Sequence, residues 1–206
     1  MTFLSVYLPF ILLYALFYLW YDNRRGPLRA DEIDRFMEAI RATPALEVGD
    51  LDTLRRFLEA DDGREFLMLN LVKLAPGEVP HPITGTPVRA GQLMREYVRP
   101  FLGVMIRHAG HPALQAPKIG GYVDAWNVPP DPGWSFVGMM RYRSRRDLAE
   151  LITDPRFMAA HPFKLAAIPV TASFPTALEI TLMFGPRIWV AGVLAIAAMG
   201  VHLAVG

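Results

Sequence analysis

The chain contains no cysteine. Disulfides, thiolate metal centres and a cysteine nucleophile are therefore excluded, while the redox compartment stays open. Net charge is almost as scarce: 21 Lys and Arg stand against 20 Asp and Glu, leaving +1. No broad field attracts polyanions, so nucleic acid is not an expected partner. Several catalytic signatures are also missing. Gly120-Gly121 lies in an expected strand without the Lys and Ser or Thr that complete a phosphate loop. There is no serine elbow, and Asp61-Asp62 is the neighbouring carboxylate pair of a turn rather than of an acid-base site.

What the chain has in excess is apolar residues, 52% of the total, concentrated at its two ends. Phe3 to Tyr21 carries no charge, and about 20 helical residues match a hydrocarbon layer of ~30 Å. Met1 and Thr2 supply no basic n-region, and bulky Phe17, Tyr18, Leu19, Trp20 and Tyr21 occupy the place of a small-residue cleavage site, so a retained anchor is expected. Ile188 to Val205, introduced by Gly185, Pro186 and Arg187, is a second uncharged run near the minimum spanning length. Arg24, Arg25 and Arg29 follow the first run and Arg187 precedes the second. Positive charge stays cytoplasmic, which predicts a cytoplasmic middle and both termini across an inner or intracytoplasmic membrane. Trp20, Tyr21 and Trp189, with Arg24, Arg25 and Arg187, are the expected interfacial anchors.

Within the first run Phe3, Tyr7, Phe10, Tyr14, Phe17 and Tyr18 recur at helical spacing. Tyrosine hydroxyls at depth want partners, so Tyr7, Phe10, Tyr14 and Phe17 are expected to face another protein or a pigment. Ala191, Ala195 and Ala198 offer a small-residue face for close helix contact in the second run.

Four segments follow from this reading: 1–22 as a membrane helix, 23–63 as a helical linker, 64–176 as the folded domain, and 177–206 as connector and second membrane helix. In the linker, helices are expected over Ala30–Ala42 and Leu51–Ala60, the latter capped by Asp50. Glu65–Leu74 reads as a strand apolar on both faces. Pro76–Pro87 is loop, and Leu93, Tyr97, Phe101, Val104, Met105 and His108 mark a long helix that Pro100 should kink or restart. Strands are expected over Leu114–Trp126 and Trp134–Arg143, separated by a turn at 128–133. Ser144 and Asp147 open a helix, Asp154-Pro155 opens another, and a strand near Val170–Phe174 closes the domain. This is a ferredoxin-like βαββαβ order, an antiparallel sheet with helices on one face and a bare second face.

Phe66-Leu67-Met68-Leu69-Asn70-Leu71-Val72-Lys73-Leu74, Tyr97-Val98-Arg99-Pro100-Phe101, Tyr142 to Arg146, and Thr153 to Phe157 with His161-Pro162 together resemble the dimeric α+β barrel superfamily, in its uncharacterised small-domain branch. The resemblance covers Arg64 to Thr176 and leaves the terminal segments outside. It implies a pocket between sheet and helices, used in relatives by haem-degrading monooxygenases, lactone isomerases and peroxidase-like haem proteins, and a second copy paired across the bare face. A haem-degrading relative presents an Asn on the first strand, an aromatic in the sheet and a His on a helix. Asn70, Trp126 or Trp134, and His161 match by type rather than by motif.

Asn70, an amide on the Phe66-Met68-Val72 face, needs hydrogen-bond partners. His108 and His111 are three apart with no third ligand nearby, so they read as imidazoles at a helix C-terminus. His202 reads as interfacial. Arg141, Arg143, Arg145 and Arg146 form a basic run of the kind that usually covers a solvated face or meets anionic lipid. The resulting expectation is a non-catalytic accessory subunit that docks by its membrane helices onto a larger photosynthetic or respiratory complex. No cofactor or metal is required by it. Its partners would be lipid, other membrane subunits or a second copy. The alternative is a membrane-tethered enzyme or binder of a small apolar or haem-like molecule.

Overall fold

A computed structural model describes residues 3–43, 49–181 and 183–205. The chain divides into two units, Met1–Arg24 with Leu178–Gly206, and Arg25–Ala177.

The first unit is a pair of helices, α1 (Phe3–Tyr21) and α7 (Pro186–Val205). Both are long and apolar enough to cross a membrane, by windows of 18 and 20 residues. Their contact buries Val6 and Tyr21 on α1 and Ala198 on α7. Two residues of the aromatic stripe meet α7. Tyr7 lies 5.7 Å from the His202 ring, and the Tyr14 hydroxyl donates to the Arg187 carbonyl at 3.1 Å. Phe10 and Phe17 are half-buried, and Tyr18 of the same stripe is exposed. Ala191 is half-buried on α7, whereas Ala195 is exposed. Tyr21, expected at the headgroup level, is buried beneath Phe17 at 5.1 Å and Arg187 at 4.8 Å. Arg187 also donates from Nε to Asp22 at 2.9 Å, while Trp20 and Trp189 are exposed.

The second unit is mixed α+β. Two short amphipathic helices, α2 (Ala30–Arg41) and α3 (Leu51–Glu59), lead in, and Asp50 caps α3 by accepting from the Asp52 amide. The sheet holds β1 (Phe66–Lys73), β4 (His111–Pro117), β5 (Phe136–Tyr142) and β6 (Val170–Thr176) in the order β4-β5-β1-β6, every pairing antiparallel. Segment 76–87, expected as loop, contributes a small hairpin of β2 (Glu78–Pro80) and β3 (Pro87–Arg89). Helix α4 (Ala90–Arg107) runs through Pro100 without interruption. Helices α5 (Arg145–Ile152) and α6 (Pro155–Ala167) begin at Ser144 and Asp154, each side chain accepting from a first-turn amide.

The expected strand Leu114–Trp126 is displaced. The sheet strand starts at His111 and ends at Pro117, so Gly120-Gly121 and Trp126 fall in the connection to β5. Its position follows from α4, which ends abruptly. Ala109 is left-handed at φ 54°, and a Cβ on Gly110 would lie 2.7 Å from Met105 Cγ and 3.0 Å from the Arg141 carbonyl. Only glycine lets the chain turn into the sheet at that distance.

Direct cross-strand partners share a face. Phe66, Met68, Asn70 and Val72 sit opposite Tyr142, Met140, Gly138 and Phe136, and this face meets α4, α5 and α6. Its core stacks Phe66 on Tyr142 at 5.2 Å and Tyr97 on Phe101 at 5.3 Å. The other face presents Leu67, Leu69, Leu71, Val137 and Met139 with exposed Phe174 and Leu114.

The basic run is not a solvated face. Arg141 and Arg146 are 4% and 2% exposed. Arg141 donates to Glu65 at 2.9 Å and to the Ala109 carbonyl at 2.5 Å. Arg146 donates to the Gly26 and Pro27 carbonyls, both at 2.9 Å, and to Glu32 at 3.0 Å. Arg145 lies over the Phe57 ring at 4.6 Å and donates to the Phe57 carbonyl. Breaking a buried, multiply bonded ion pair typically costs about 3 to 5 kcal/mol. Arg146→Met should accordingly lower the stability of the full chain by ~3 kcal/mol in a urea titration. Amide exchange in residues 30–41 should speed up more than exchange in β1.

Candidate functional site

A cavity of about 500 Å³ lies between the inner sheet face and the helices. Its floor is laid by Met68, Asn70 and Val72 of β1 with Phe136, Gly138 and Met140 of β5. Its walls come from α4 (Met94, Tyr97, Phe101), α5 (Leu148, Leu151) and α6 (Phe157, His161, Lys164). The volume falls in the range of pockets that hold drug-sized molecules, and the lining is dominated by apolar side chains with a few convergent polar ones. The floor is open because position 138 has no side chain: a Cβ there would meet nothing nearer than 3.9 Å.

Asn70 supplies a polar point at mid-floor and is satisfied there. Its Nδ2 donates to the Met68 carbonyl at 2.9 Å, and its Oδ1 accepts from the Ser173 hydroxyl at 2.8 Å. His161 is buried on the wall, with its ring 5.4 Å from Phe157. The tryptophans are elsewhere. Trp126 is 81% exposed in the 118–135 connection, and Trp134 donates from Nε1 to the Tyr122 hydroxyl at 2.9 Å. Asn70 and His161 thus share the cavity, while the two tryptophans do not join them. The sheet aromatics that line the cavity with them are Phe136 and Tyr142 of β5.

Three further residues belong to the cavity. Lys164 projects from α6 with its Nζ 6.0 Å from the Tyr97 ring, and burial pushes its pKa down. Tyr97 and Tyr142 are both buried, and loss of solvent pushes both phenols well above their usual range. The spacing of Phe157, His161, Lys164 and Ile168 on one helix face was the available signal for the lysine.

A second cluster gathers around Asp147, which is fully buried. Its carboxylate accepts from Arg143 Nη2 at 2.6 Å, from Ser144 Oγ at 2.5 Å and from Arg25 at 3.4 Å. His108, at the C-terminus of α4, places Nδ1 3.6 Å from Asp147 and 3.1 Å from Glu150. Glu150 in turn accepts from Arg25 at 2.7 Å. One ligand atom each from His108, Asp147 and Glu150 falls within 4.8 Å of the others, a spacing suited to a metal. The guanidinium groups of Arg25 and Arg143 already occupy the carboxylates, so the arrangement is an ion network. His111 stands apart in β4, its Nδ1 2.9 Å from the Pro112 carbonyl.

No family model and no curated protein matches the chain. Among solved structures it is similar to a protein of unknown function from Rhodopseudomonas palustris, a structural genomics target, at 23% identity and TM-score 0.52. That likeness covers 63% of this chain and 94% of the other. The methylated form of the same protein matches at 22% identity and TM-score 0.52, over 64% and 93% of the two chains. Both likenesses are of fold.

The network carries a pH signature. Hydrogen bonds to Asp147 and then Glu150 raise the His108 pKa from 6.5 to about 9. A raised folded-state pKa means that the contribution is complete below pH 6.5 and lost as pH rises through about 9. Chain stability should therefore fall across that window in chemical denaturation of the full chain. His108→Gln should remove that part of the pH dependence.

Proposed function

We propose that the protein is a membrane-anchored α+β module whose cavity binds a small, largely apolar molecule. The single observation that carries this is the cavity of about 500 Å³ between sheet and helices, built on the gap left by Gly138. The sheet order β4-β5-β1-β6 supports placing Arg25–Ala177 with the ferredoxin-like, dimeric α+β barrel folds, in which the pocket lies on this side of the sheet. The length and hydropathy of α1 and α7 support the anchor. Arg24, Arg25 and Arg187 support a cytoplasmic module with both termini across the membrane.

The reading as an accessory subunit draws its support from the outer sheet face instead. Leu67, Leu69, Leu71, Val137 and Met139 form an apolar surface without a covering element among the described residues, which favours a protein neighbour, a second copy first. The two roles are compatible, because the cavity and the outer face lie on opposite sides of the sheet.

Cavity binding is tested by titrating a neutral probe, 4-(1-naphthyl)butanamide, into the full chain in lipid nanodiscs by calorimetry, with empty discs subtracted. Saturable binding is expected in the wild type, and Gly138→Phe, which fills the floor, should abolish it. Binding unchanged in Gly138→Phe would remove the cavity from the account. Since the chain has no native cysteine, single cysteines report topology and pairing directly. Asp124→Cys should react with an impermeant maleimide only from the cytoplasmic side. Leu71→Cys should cross-link two copies, and a monomer-only result would count against pairing through the outer face.

A further inference from the structure

The cavity is rich in hydrogen-bond donors and lacks a charge to answer them. None of its lining residues is an aspartate or glutamate. Lys164 is its one lysine, and no carboxylate among the described residues lies within ion-pair distance of that ammonium. The Tyr97 ring at 6.0 Å is the nearest described group that attracts it. Contact with a ring face at the outer limit of range offsets little of the cost of taking an ammonium out of water. The phenols of Tyr97 and Tyr142 are 7% and 6% exposed, and neither hydroxyl has a hydrogen-bond partner among the described residues. The two are near enough that Tyr142 adds to the upward push on the Tyr97 phenol. Three donor side chains that line one apolar space without a hydrogen-bond or ion-pair partner there define what it would take. It is an acceptor, and the ammonium asks that the acceptor be negative.

We infer that the ligand is an amphiphilic monocarboxylate, its apolar body laid against the Phe101, Leu148 and Met140 walls and its carboxylate received by Lys164 with Tyr97 and Tyr142. This rests on the cavity-binding reading above and adds the chemical class of the ligand. The ammonium supplies charge and the phenols supply directed O–H donors. Asn70, whose amide is engaged with Met68 and Ser173, is left to shape the floor.

The test compares 4-(1-naphthyl)butanoate with its neutral amide on the full chain in nanodiscs. In the wild type the acid should bind at least about tenfold more tightly than the amide, the scale of one charged hydrogen bond. Lys164→Met should bring that ratio to near one, and Lys164→Arg should restore most of it. Equal binding of acid and amide by the wild type, or a preference that survives Lys164→Met, overturns the inference while leaving the cavity as a binding site. Failure of both acid and amide to bind overturns the cavity reading itself, so the two failures are distinguishable.

Discussion

A carboxylate with no solvent contact needs several donors at once, and Asp147 obtains them from three separated parts of the chain. Ser144 and Arg143 are local, and the serine opens α5 with the same hydroxyl. His108 comes from the end of α4, and Arg25 from the segment just after α1. Around this one charge the last turn of α4, the first turn of α5 and residues 25–32 are held in fixed relation. Arg146 repeats the device one position earlier, satisfying the Gly26 and Pro27 carbonyls and Glu32. Burial alone would push Asp147 upward, yet its pKa lies well below the carboxylate range because His108, Arg143 and Ser144 outweigh it.

The cavity follows from the same frame. With α5 pinned at its N-terminus and α4 at its C-terminus, the helices stand over a sheet in which the third residue of β5, facing them, is a glycine. Aromatic residues fill the end near Phe66 and Tyr142, and smaller ones fill the end near Val72 and Ala167. Empty volume of this kind is stable when its walls are held by other contacts, as Phe101 and Phe157 are by Tyr97.

Much of the architecture was legible in the residues. The periodicity of Ile33, Met37 and Ile40, the caps at Asp50, Ser144 and Asp154, and the two uncharged terminal runs all appear where spacing and capping chemistry put them. The start of β4 was not legible. Apolar residues continue past Pro117 to Trp126, and only the left-handed turn at Ala109 with the close approach at Gly110 brings His111 into the sheet. The arginine run misled for a different reason. Charge spacing says nothing about partners that are distant in sequence, such as Glu65 for Arg141 and Glu32 for Arg146. Asn70 and His161 were visible as polar breaks in apolar patterns. Lys164, Tyr97 and Tyr142 were not singled out as site residues, because a lysine or tyrosine on a helix or strand is ordinary until its surroundings are known.

The sheet ends in β4 on one side and β6 on the other, and both edges carry proline: Pro112 and Pro117 on β4, Pro175 on β6. Each removes an amide donor from a strand that would otherwise offer a complete ladder to a neighbour. Two chains meeting side by side would find these margins poor templates, and a growing stack of strands would stall at its first addition. The molecule can thus keep a broad apolar sheet surface without inviting fibril-like polymerisation along its rims.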